Sequence, residues 1–144
     1  SDECVKRFLY PEARIRLGLL LARNRAASAC IDLSDGLADG VSRIAEASGA
    51  GGAIDAGALP IEPGAWAFFE AAGADPVVES ITRGDDYELL FTVRPRLGAR
   101  LRAVARHADV PITKIGVCTR ERALTLTRGG RSDEPLPDGY GHFR

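Results

Sequence analysis

The 144 residues include 45% hydrophobic and 27% charged side chains, and the net charge is -1 at pH 7. This is the balance of a single globular domain with room for a real core, and it excludes wholesale disorder. No Lys/Arg run with interleaved aromatics offers nucleic acid an electrostatic footprint, and no apolar stretch approaches a membrane span.

The chain starts at Ser1 and contains no Met, so it reads as a piece of a longer protein. Cys4, Cys30 and Cys118 are far apart and form no CxxC pair. A zinc site or disulfide framework is therefore not expected, and a reducing cytoplasm is. Cys30, inside an apolar run, reads as a small core residue.

Pro11 starts a helix over "PEARIRLGLLLAR", with arginines near its end. "ASACIDL" (27–33) suits a buried strand. Ser34 then stands where an N-cap belongs, before a helix with Leu37, Val41 and Ile44 on one stripe and a glycine stop at "SGAGG". "GGAIDAGALPI" predicts a strand and a loop. Pro63 opens a short helix closed by Gly73, with Trp66, Phe68 and Phe69 expected in a core or interface. "DDYELLFTV" (85–93) has the composition of a core strand, and Leu97, Leu101 and Val104 mark another amphipathic helix. "ITKIGVCT" and "ALTLTRGG" predict two further strands before a turn-rich tail. The interleaving predicts an α/β (α+β) layered domain, a mixed sheet covered by helices.

Two acidic clusters carry the chemical signal. In "ACIDLSDGLADG" (29–40), Asp32 and Asp35 crowd around Ser34 at a strand-to-helix turn. Backbone N–H groups and the positive helix end attract anions there, while the carboxylates attract cations. A hard divalent cation bridging both aspartates to phosphate reconciles the two, with Ser34 giving a hydroxyl to phosphate. A plain cap with a dipole-compensating acid explains the same residues. In "GDDYELL", Asp85, Asp86 and Glu88 stand at the mouth of a strand, whose alternation puts Asp86 and Glu88 on one side. A solvated turn is the competing explanation.

The chain has no P-loop GxxxxGK[ST], no GxGxxG after a strand and no spacing that suggests a Ser/His/Asp triad. His107 suits a helix C-terminus, and His142 has no metal-ligating partner nearby in the sequence.

Taken together, "RIRLGLLLA", the 29–61 block, "GDDYELLFTV", "ITKIGVCT" and "GYGHF" resemble the C-terminal half of the thiamine-monophosphate kinase family across nearly the whole chain. The "IDLSDGL" block is shared with the wider aminoimidazole ribonucleotide synthetase superfamily; "DDYELLF" narrows the match. The resemblance implies that residues 1–144 are one C-terminal domain of a two-domain enzyme, whose N-terminal domain supplies further Mg2+ and ATP contacts and a dimer interface. It implies phosphorylation of thiamine monophosphate to thiamine diphosphate with ATP and Mg2+. By position, Asp32 and Asp35 would bind Mg2+, Ser34 would contact ATP, and Asp85 and Tyr140 would face the thiamine substrate. The family reads Gly-Gly-Glu-Asp-Tyr-Glu where this chain has Arg83, Gly84, Asp85, Asp86, Tyr87 and Glu88. The fragment alone is expected to be inactive. The alternatives are another ATP-dependent enzyme of that superfamily, or a non-catalytic binding or regulatory domain.

Overall fold

The computed structural model describes residues 3–8, 18, 20–33, 35–83, 88–108, 112–130 and 133–137, without the side chains of 3–8, 88 and 108. Among the described residues seven strands form one sheet: β1 (Glu3–Phe8), β2 (Ala29–Asp32), β3 (Gly51–Asp55), β4 (Glu88–Val93), β5 (Ile112–Thr119), β6 (Leu124–Thr127) and β7 (Glu134–Pro135). Their order is β2-β4-β1-β5-β3-β6-β7. Every neighbouring pair is antiparallel except β3 with β6, so the sheet is mixed as expected.

The helices are α1 (20–24), α2 (Leu37–Ser48), α3 (Pro63–Ala71), α4 (Pro76–Thr82) and α5 (Gly98–Ala108). β4 divides the interior between two layers. Leu90 joins Leu37, Val41, Ile44, Val77 and Ile81 under α2 and α4. Leu89, Phe91 and Val93 join Leu21 and Val104 under α1 and α5. Residues one apart on a strand face opposite sides, so helices cover both faces of the sheet. The α2 stripe buries Leu37, Val41 and Ile44, and Gly49 closes the helix with φ 64, as the glycine stop predicts.

Among the described residues β1, α4 and the short β7 are additional to the predicted elements. β1 lies mid-sheet, between β4 and β5, although "ECVKRF" shows no clean alternation. The start signal of α4 is Asp75–Pro76: the Asp75 side chain accepts from Val77 and Val78 N–H, with Pro at the first helical position.

Two expectations about packing are corrected. Cys30 is exposed rather than core, because β2 is an edge strand and Ala29 and Ile31 take the inward positions. Its thiol is still desolvated enough to be pushed up, and the Asp32 charge adds to this. None of the residues of α3 is buried, so the core half of the core-or-interface expectation is corrected: Trp66 and Phe68 lie exposed.

Arg128, just beyond β6, fastens α4 to the sheet edge. It makes a two-pronged contact to Asp75, at 2.7 and 3.3 Å, and its Nε donates to Glu134 at 2.8 Å. Burial pushes the Asp75 carboxyl up. The hydrogen bonds from Arg128, Val78 and Val77, with the Arg128 charge, outweigh that and hold it below the usual carboxylate range. Because the folded value is lowered, the stabilisation is present above the unfolded pKa of about 3.9 and is lost as pH falls through the folded value. Asp75→Ala should cost about 1 kcal/mol at pH 7, as for other lost caps. In denaturant melts the gap to wild type should narrow on acidification; a constant gap from pH 7 to pH 2 would show that ionisation plays no part.

Candidate functional site

The backbone on either side of the second acidic motif is fastened to the 32–36 turn at two points, at one end of the sheet. The β2–β4 ladder pairs Asp32 with Leu89, placing the end of "CID" beside the start of "ELLF". Beyond the turn, Gly36 lies against the end of α4: a Cβ built there would sit 2.6 Å from the Arg83 carbonyl oxygen and 3.2 Å from that of Ile81. Gly36 also has φ 92, where L side chains are strained. Residues 83 and 88, which bracket the "GDDY" segment, are thus both held next to the 32–36 turn.

Leu33 anchors this turn from within. It is buried in the α2–α4 cluster, and its side chain occupies the space that a Cβ on Gly40 would need, at 2.4 Å. A glycine inside a helix costs about 0.5–1 kcal/mol against alanine. Here it gives the turn its seat on α2.

Of the predicted site residues, Asp32 and Asp35 are described, and Ser34, Asp85 and Tyr140 lie outside the described residues, as do Asp86 and His142. Asp32 ends β2 and is exposed; strand alternation sends it to the side of Cys30, away from the α2 layer. Asp35 is half-buried at the foot of α2. The N-cap of α2 is Gly36 rather than Ser34, because the chain makes a turn closed by Gly36 N–H to the Leu33 carbonyl before the helix begins. His107 is exposed in the last turn of α5, as expected.

The sequence reading missed Asp39 and Arg43. Asp39 is buried in the first turn of α2, and its carboxylate accepts from Arg43 Nε at 2.7 Å. The Nη2 of Arg43 stands 3.8 Å from the Asp35 carboxylate. The signal was available: Asp39 and Arg43 are four residues apart, the spacing at which an acid preceding a base pairs on a helix. Arg43 stays firmly protonated, raised first by the Asp39 hydrogen bond and charge, with Asp35 and Glu46 adding to it.

Arg83, where the kinase pattern has glycine, is accommodated away from the turn. Its guanidinium pairs with Glu79 at 2.9 Å and lies over the Phe69 ring at 5.0 Å.

Among the described residues, no three His, Cys, Asp or Glu side chains converge on a metal position. Asp32 and Asp35 offer hard oxygen donors, which suits a Mg2+ that keeps several waters and takes other ligands from phosphate. An open cleft of about 610 Å3 lies elsewhere, over β3, β5 and the turn after β6, lined by Asp55, Lys114, Thr127, Gly116, Gly129 and Gly130 among others. It contains none of the predicted site residues. No helix among the described residues is long and apolar enough to cross a membrane.

The family model "AIR synthase related protein, C-terminal domain" matches residues 3–129. The chain belongs to this AIR synthase-related family. Its similarity to thiamine-monophosphate kinase of Escherichia coli (strain K12) is 37% identity over 147 aligned positions, covering 99% of the chain and 43% of that protein. The chain thus spans under half the length of the curated relatives it matches. The structure of AaThiL complexed with AMPPCP and TMP superimposes with a TM-score of 0.65 at 22% identity, covering 99% of the chain and 51% of that one. Escherichia coli HypE, a hydrogenase maturation protein, gives 0.75 at 17% identity, covering 98% and 50%. At such identities the structures establish the layered fold that the AIR synthase-related family shares.

If the Gly36 contact holds the end of α4 against the 32–36 turn, Gly36→Ala should destabilise the domain by about 1–3 kcal/mol, the range for a residue forced into a forbidden backbone region. Gly57→Ala, at an exposed turn, serves as the comparison. Equal denaturation midpoints for the two variants would contradict this role for Gly36.

Proposed function

We propose that this chain is the C-terminal domain of a thiamine-monophosphate kinase, which uses ATP and Mg2+ to convert thiamine monophosphate to thiamine diphosphate. The observation that carries the proposal is the double lock between the 32–36 turn and the residues flanking the second acidic motif: Asp32 paired with Leu89, and Gly36 against Arg83. A phosphoryl-transfer site needs a cation-holding element next to a substrate-holding one, and a backbone that keeps Arg83 and Leu89 beside the 32–36 turn supports that reading.

Within this reading Asp32 and Asp35 hold Mg2+, Ser34 donates its hydroxyl to an ATP phosphate, and Asp85 and Tyr140 face the thiamine substrate. When bound, the cation neutralises phosphate charge and favours in-line alignment. The acceptor is a phosphate oxygen, already ionised at neutral pH, so no strong general base is required of the chain. The remaining metal and nucleotide contacts belong to an N-terminal domain, and the complete protein is a homodimer. The three widely spaced cysteines, with no CxxC pair, support a cytoplasmic location.

In the complete protein, Asp35→Ala should lower thiamine diphosphate formation by about 100-fold or more, since even residues supporting a metal ligand cost about 10–100-fold. Retained activity would remove Asp35 from the site. The 144-residue chain alone should show no turnover, and turnover would overturn the two-domain assignment. The fold shared with HypE keeps a second reading in view, another ATP-dependent reaction on the same scaffold. Analysis of the product formed from thiamine monophosphate separates the two.

A further inference from the structure

We infer that Arg43 makes this site take its divalent cation as a nucleoside-triphosphate complex rather than as the free ion. The inference rests on the kinase reading of Asp35 and adds a residue that determines what the site binds.

The geometry is specific. Asp39, buried at the start of α2, engages Arg43 through Nε alone, at 2.7 Å. That fixes the plane of the guanidinium while leaving its two terminal nitrogens available, and Nη2 reaches to 3.8 Å from the Asp35 carboxylate. This distance is an ion pair rather than a short hydrogen bond, so Arg43 flanks Asp35 without capping its oxygens. The Arg43 side chain is 58% exposed, so an arriving ligand can reach it. Glu46 is its other anionic neighbour.

A fixed positive charge beside a carboxylate acts oppositely on the two candidate ligands. It repels a bare divalent cation approaching Asp35. It attracts a triphosphate, whose oxygens meet the free guanidinium N–H groups as they do in other arginine–phosphate contacts. One unit-charge interaction at about 4 Å is worth about a fivefold change in affinity even in bulk water. Arg43 therefore couples the two bindings: the cation enters efficiently only with phosphate to offset the guanidinium.

The test uses the complete protein with two readouts of opposite expected sign. Free Mn2+ affinity, read by electron paramagnetic resonance without nucleotide, should rise about fivefold in Arg43→Gln. The KM for Mg·ATP should rise by at least a similar factor in the same variant, and Arg43→Lys, which keeps the charge, should restore part of both. Thermal melts check that this surface variant is folded. Unchanged values, or metal and nucleotide affinities moving in the same direction, would overturn the inference. If Asp35→Ala abolishes activity while Arg43→Gln shifts neither constant, the kinase reading stands and this inference falls. If Asp35→Ala keeps its activity, both fall.

Discussion

The acidic end of the domain depends on one close approach of two backbones. The Gly36 Cα sits so near the Arg83 carbonyl that no side chain fits between them. Leu33, two residues before Asp35, is buried from below, and α4 closes over the turn from the side. Arg128 in turn ties the start of α4 to the sheet edge through Asp75. The position of the carboxylates is thus a packing outcome. Their chemistry is borrowed from elements that carry no chemistry themselves.

How the site manages its charge follows from this. Asp35 and Asp39 stand near one helix end, where the dipole favours acids, and Arg43 answers both from one turn further on. An exposed ion pair contributes little to stability, commonly below about 1 kcal/mol. The value of the Asp39–Arg43 pair lies in orientation, since Asp39 is buried and Arg43 is not. Arg83 illustrates the reverse case. It replaces a small residue at the edge of the site, yet Glu79 and Phe69 draw its charge onto the outer surface of α3 and α4.

Much of this was legible in the residues because local and global preferences agree. The stripe of Leu37, Val41 and Ile44 and the glycine stop marked α2, and the apolar run of β4 marked a strand buried on both faces. What escaped detection depended on tertiary partners. β1 has an undistinguished sequence and becomes a strand through two distant neighbours. Cys30 looked internal because its sequence neighbours are apolar, but edge position is a property of the whole sheet. Arg43 was visible as an i,i+4 partner of Asp39, yet only the folded turn brings Asp35 within its reach. The aromatics of α3 show the limit of composition: apolar residues need not be inside when no layer lies above them.

The position of β1 has a consequence for how the domain comes together. Glu3 pairs with Val93 on one side and Val117 on the other, so the sheet is stitched through its middle by partners far along the chain. Remove that strand and the antiparallel β2–β4 pair separates from the block formed by β5, β3, β6 and β7. Such long-range closures are slow, because chain entropy is lost before contacts repay it. During synthesis β1 can pair on one side once β4 is available, and on the other only after β5 has followed. The two halves of the sheet are therefore joined late, and the acidic end, although it lies on the β2–β4 side, draws on both, since the core beneath Leu33 includes Ile115 and Leu126.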